Sequence, residues 1–116
     1  MQPSVLKSYP AGVPHEVHPE QYRSLAQMFD ESFQRHAERP FSVCMERWTR
    51  YADLDRQSEA LGAWLQSLGL EPGARVAIML PNIPQFAATM CAVLRAGYTC
   101  VNVNPLYTAR ELEHQL

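Results

Sequence analysis

His15-x-x-His18 is a spacing that can bring two imidazoles onto one metal ion, since neutral histidine is a common zinc ligand. A tetrahedral site needs two further ligands, and no second pair completes the set, so both are read as solvated surface histidines. Cys44, Cys91 and Cys100 are odd in number and form no Cys-x-x-Cys pair. Each sits in an apolar segment, which fits reduced, buried thiols in a cytosolic protein. Asp53, Asp55 and Glu59 could supply acid–base chemistry, but Asp55 and Glu59 are i,i+4 on a predicted helix and repel, which argues a solvated face. Arg110 and His114 share the same spacing at a predicted surface. Ligands of open parallel sheets bind beyond the carboxyl ends of the strands. Asn82, Asn104 and Tyr107 fall at such places. A helix cap for Asn82, a turn-fixing side chain for Asn104 and a packed ring for Tyr107 account for them without a ligand. No residue is assigned a catalytic, cofactor-binding or metal-binding role.

The elements that carry these residues are read from period and punctuation. Residues 1–23 hold Pro3, Pro10, Pro14 and Pro19 and are expected to form an extended arm. Ser24-x-x-Gln27 is a capping box opening a helix whose apolar face is Leu25, Met28, Phe29, Phe33 and Ala37, ended by Pro40. Residues 41–45 and 48–51 predict a hairpin around Glu46-Arg47, without the Gly or Asn that a tight primed turn favours. A second helix is expected over about 52–68, with Leu54, Leu61, Leu65 and Leu68 as its stripe and Trp64 alongside. Gly69 is placed for a left-handed cap with Leu70 folding back on Leu65, and Pro72-Gly73 for a type II turn.

The run from Arg75 to Leu80 is continuously apolar after its first residue, the mark of a strand covered on both faces. Asn82 is the expected N-cap of a third helix ending at Gly97, followed by a strand from Tyr98 to about Asn102. Thr108-x-x-Glu111 is a capping box opening a fourth helix with Leu112 and Leu116 on one face. That helix is expected to continue past Leu116, because so short a helix is not stable by itself. The fold class is therefore α/β: a short hairpin, then α-β-α-β-α with parallel strands.

Length and composition exclude several classes. The chain has 116 residues, 47% hydrophobic and 19% charged, with net charge −2. This is a globular composition, with no basic stripe for nucleic acid and no apolar run long enough for a membrane span. The N-terminus has no apolar signal core. The Gly-x-Gly-x-x-Gly, Walker and Gly-x-Ser-x-Gly motifs are missing.

Three blocks carry a resemblance. Tyr51-Ala-Asp-Leu-Asp55, Leu94-Arg-Ala-Gly-Tyr-Thr-Cys-Val-Asn-Val-Asn-Pro105 and Asn102-Val-Asn-Pro-Leu-Tyr-Thr-Ala-Arg-Glu-Leu-Glu-His-Gln-Leu116 resemble, in turn, two core motifs of the adenylate-forming superfamily and a block typical of bacterial long-chain fatty-acid–CoA ligases. The arm Tyr9–Tyr22 is similar to the N-terminus of that branch. One departure is Arg50, where the family usually has Thr or Ser. The resemblance implies an AMP-forming ligase that makes an acyl-adenylate from a fatty acid and ATP, then a thioester with CoA, assisted by Mg²⁺. It implies that residues 24–116 are an incomplete N-terminal segment of the AMP-binding domain, preceded by the 1–23 arm. The family's phosphate loop, its ribose-binding Asp and its catalytic Lys lie in later segments, so the piece alone is expected to be inactive. Its partners would be the fatty acid and the remainder of the same polypeptide. A homodimer and peripheral contact between a cytoplasmic enzyme and the inner membrane stay open. The alternative is a stand-alone α/β interaction or scaffold module without activity.

Overall fold

The computed structural model of the chain describes residues 4–116; Pro3, the first proline of the arm, lies outside them. The arm is not wholly extended. It contains two 3₁₀ turns, Ser4–Ser8 and Pro19–Gln21, the second set by Pro19 at the position where its fixed φ suits a helix start.

Helix α1 spans Leu25–His36. Ser24 Oγ accepts from the Gln27 N–H at 3.1 Å, as a cap should. The expected capping box is only half made, because Gln27 Oε1 accepts from the Arg23 N–H at 2.9 Å and not from that of Ser24. Strands β1, Pro40–Cys44, and β2, Arg47–Arg50, pair antiparallel with Cys44 opposite Arg47. The turn is therefore Met45-Glu46, one residue earlier than the spacing predicted. Both residues have positive φ, 48° and 63°. The hairpin uses the primed geometry that matches strand twist, with residues for which that geometry is strained.

Helix α2, Tyr51–Ser67, starts at Arg50, whose side chain offers no acceptor. Other groups satisfy the free N–H donors. Tyr51 N–H donates to the Arg39 carbonyl at 3.1 Å and Ala52 N–H to the Ala37 carbonyl at 3.0 Å. Asp53 Oδ2 accepts from the Arg50 N–H at 3.1 Å. The carbonyls that follow α1 thus cap α2, which lets Arg replace the usual hydroxyl residue.

Strand β3, Arg75–Ile78, pairs in parallel with β4, Thr99–Asn102, in the register Arg75–Thr99 to Ile78–Asn102. Helix α3, Pro84–Arg95, makes the crossover. Its N-cap is Ile83, not Asn82, and Pro84 takes the first helical position, where a missing N–H leaves no bond unmade. The complete Schellman arrangement lies at the end of α3. Gly97, at φ 87°, donates to Leu94 O, and Tyr98 donates to Val93 O at 3.0 Å. At the end of α2 only the Gly69 half appears, donating to Gln66 O at 3.3 Å. The Pro72-Gly73 turn forms as expected, closed by Ala74 N–H to Glu71 O at 3.0 Å. Helix α4, Ala109–Gln115, opens on the full Thr108–Glu111 capping box.

The core sits where α2 packs on α3, the most extensive helix contact in the chain. One cluster joins Phe33, Leu54, Ala88 and Cys91, flanked by Phe29 and Tyr51. The other joins Leu65, Ile78, Val93 and Tyr98, under Leu61, Val76, Leu80 and Phe86. Gly62 lets the helices approach, since a Cβ there would lie 3.3 Å from the Ala92 carbonyl oxygen. The predicted α2 stripe is partly wrong. Leu68 and Trp64 are exposed, and Ser58 and Gly62 take the buried line with Leu54 and Leu65.

Nor is β3 covered on both faces. Ala77 and Met79 face outward while Ile78 is buried. The accessible surface is 9150 Å². A compact protein of this mass exposes about 6400 Å². The radius of gyration, 17.5 Å, likewise exceeds the roughly 13 Å of a compact domain this long.

Candidate functional site

The carboxyl ends of β3 and β4 hold the residues that the topology points to. Asn82 is exposed and caps nothing; it lines a shallow cleft of about 280 Å³ with Phe41, Ser42 and Ile83. Ser42 Oγ is buried there without a partner. Asn104 fixes the strand exit as its side chain suggested, Oδ1 accepting from the Leu106 N–H at 3.0 Å. Tyr107 is half-exposed and borders a concave surface of about 890 Å³ with Arg110, Glu111, Glu113 and His114 on α4. Gln115 Nε2 donates to the Asn102 carbonyl at 2.9 Å and ties α4 back to the end of β4. The structure therefore brings Tyr107, Arg110 and His114 to one surface and leaves Asn82 on another.

Glu111 is held as an anion by its cap. The Thr108 N–H, then the Thr108 hydroxyl, lower its pKa below the usual carboxylate value. Asp53 is lowered in the same way, first by the Arg50 N–H and then by Arg56. Both carboxylates are structural acceptors and neither is poised to take a proton near neutrality.

The densest polar constellation was not foreseen. Arg95 is the one charged residue of α3. Its Nε lies 3.1 Å from Asp30 of α1, and its Nη1 lies 2.9 Å from Asp55 and 2.7 Å from Ser58 Oγ of α2. The guanidinium also sits over the Phe33 ring, 5.3 Å from its centroid. Asp55 is therefore an ion-pair partner and not part of a freely solvated face, and Arg95 offsets its repulsion from Glu59. The available signal was a single cation ending an otherwise uncharged, apolar helix.

All three cysteines are free. Burial pushes the Cys91 thiol up to about 11 and also raises Cys100, so neither is an activated nucleophile. His15 and His18 are exposed on the arm, where the His15 ring meets Tyr9 edge-on. Among the described residues no three His, Cys, Asp or Glu side chains cluster as a metal site. No helix there is long and apolar enough to cross a membrane. What the arrangement offers is a scaffold: parallel strand ends, a tethered α4 and a polar knot joining three helices.

Comparison with known proteins gives consistent relatives. The AMP-binding enzyme family matches residues 29–116. A long-chain-fatty-acid–CoA ligase of Escherichia coli O157:H7 is 49% identical over 112 residues, covering 96% of this chain and 20% of the relative. The ligase of the same description from Bacillus subtilis is 38% identical over 111 residues, with the same coverage. Among solved structures, Klebsiella oxytoca NpsA in complex with 3-hydroxyanthranilyl-AMSN superposes with a TM-score of 0.78 at 31% identity, over 83% of this chain and 20% of that one. The chain thus spans about a fifth of the length of the curated relatives it matches.

Proposed function

Because the chain belongs to the AMP-binding enzyme family, we propose that it is the opening segment of a long-chain fatty-acid–CoA ligase. In this reading the whole enzyme activates a fatty acid with ATP, releases pyrophosphate, and transfers the acyl group from AMP to CoA, with Mg²⁺ shielding the phosphates. The single observation that carries it is the 49% identity to such a ligase along 96% of the chain. Residues 24–116 are taken as the front of the AMP-binding domain and 1–23 as its arm. No catalytic, nucleotide-binding or metal-binding residue is assigned to this segment, and its contribution is scaffolding. The uncovered face of β3 and the excess accessible surface support that role, since both suit burial under the remainder of the same polypeptide. Homodimerisation and peripheral contact of a cytoplasmic enzyme with the inner membrane, where long-chain substrates partition, belong to the same proposal.

The test is to read the source transcript past the Leu116 codon, express the whole open frame, and assay palmitate-dependent formation of AMP and acyl-CoA. A frame entering a Ser/Thr/Gly-rich loop ending in Lys-Gly, with that activity, supports the reading. A stop codon there, with the 116 residues melting cooperatively as a monomer, refutes it in favour of a stand-alone module.

A further inference from the structure

Helix α1 is fastened to the rest of the molecule in two different ways. Just past its C-terminal end the fastening is backbone: the Ala37 and Arg39 carbonyls accept from the first two N–H groups of α2. Along its middle the polar fastening is one side chain, Arg95, reaching Asp30 by ion pair and Phe33 by its ring face. Phe33, 4% exposed, is the buried apolar contact beside it, flanked by the half-buried Phe29. The arm that leads into α1 is almost entirely exposed.

We propose that α1 and the arm form a hinged unit, with the hinge at residues 37–39 and Arg95 as its latch. Arg95 is anchored independently of α1, through Asp55 and Ser58 on α2, so releasing Asp30 leaves the α2–α3 core in place. The Asp30 side chain is half-exposed, which makes the latch accessible to salt. Opening would swing α1 about its C-terminal end and uncover Phe29, Phe33 and the adjoining side of the first apolar cluster, a local opening of the kind that native-state exchange detects.

Hydrogen–deuterium exchange followed peptide by peptide across residues 4–116, on the intact polypeptide, tests this. Asp30→Ala cuts the latch on the α1 side while improving intrinsic helix propensity. It should nevertheless speed exchange in residues 25–36 about three-fold, the size expected of a half-exposed ion pair, and leave residues 84–95 unchanged. Arg95→Gln should do at least as much to α1, and 1 M NaCl should reproduce part of the effect in the unaltered protein. Equal acceleration in α1, α2 and α3 with Asp30→Ala, or none in α1, would overturn the latch. Neither result depends on whether the polypeptide is a ligase.

Discussion

Adding one methyl group at Gly62 probes the close approach of α2 to α3. In an exposed helix interior, Gly→Ala gains about 1 kcal/mol because alanine loses less backbone entropy. Here the new Cβ would sit 3.3 Å from the Ala92 carbonyl oxygen, 3.8 Å from Ala96 Cβ and 3.9 Å from Ala92 Cα. The obstructing atom belongs to a helix backbone and cannot rotate away, so α3 must shift by a few tenths of an ångström. Overpacking of this kind costs about 1–3 kcal/mol. Set against the propensity gain, the net result is a loss of about 1 kcal/mol. Gly62→Leu has no comparable escape and should cost at least about 3 kcal/mol, enough to unfold a marginal chain. The assay is a thermal melt by circular dichroism in sucrose, which favours the compact state. At this chain length 1 kcal/mol corresponds to about 4 °C. Gly97→Ala is the control: nothing lies within 4 Å of its Cβ, but φ is 87°, so its cost of about 1 kcal/mol is conformational and Asn should recover part of it. A Gly62→Ala variant that melts several degrees higher than the parent would refute the close α2–α3 contact.

Three further expectations concern local features. Replacing Met45-Glu46 by Asn-Gly supplies residues suited to two positive-φ positions and should raise stability by about 1 kcal/mol, read from the same melts. Glu111 has a folded-state pKa below its unfolded value, so its cap contributes fully above the ordinary carboxylate pKa and is lost as pH falls through the lower one. The protection of the Thr108 amide and of α4, measured as exchange relative to the intrinsic rate at each pH, should therefore fall in acid before that of α3, and Glu111→Gln should flatten that dependence. Cys91, 3% exposed and with its thiol raised to about 11, should resist iodoacetamide at pH 8 until urea unfolds the chain. Mass spectrometry should find Cys44 labelled before it.

Local grammar was legible where a residue acts on its near neighbours. Gly97 ending α3, the Pro72-Gly73 turn, the Thr108–Glu111 box and the Asn104 turn all depend on hydrogen bonds within a few positions, and all four appear. So does the parallel β3–β4 pairing, because a strand, a crossover helix and a second strand leave few other arrangements. The misreadings share a different cause. Periodicity puts Leu68 in the α2 stripe with Trp64 alongside, but a stripe is buried only where another element packs on it, and α3 covers Leu54 and Leu65 while Trp64 and Leu68 stay exposed. Asn82 lost the cap because Pro84 fixed the helix start one residue later. Arg95 could not be paired from sequence, since Asp30 and Asp55 lie 65 and 40 positions away and only packing brings them within 3.1 Å.

The clasp between the carbonyls of Ala37 and Arg39 and the N–H groups of Tyr51 and Ala52 has a consequence for how this chain can vary. It closes a loop: the backbone leaves the helical core at residue 39 and re-enters at 51, with both ends pinned to each other. Everything between, the whole β1–β2 hairpin, hangs from a fixed neck. Lengthening a loop whose ends are already held adds little closure entropy, about 0.6 kcal/mol per doubling. Met45-Glu46, at its exposed tip, is thus the natural site for a grafted peptide, an epitope or a fluorophore, because whatever is inserted there extends into solvent while the neck and the strands' contacts with α2 and α3 stay in place.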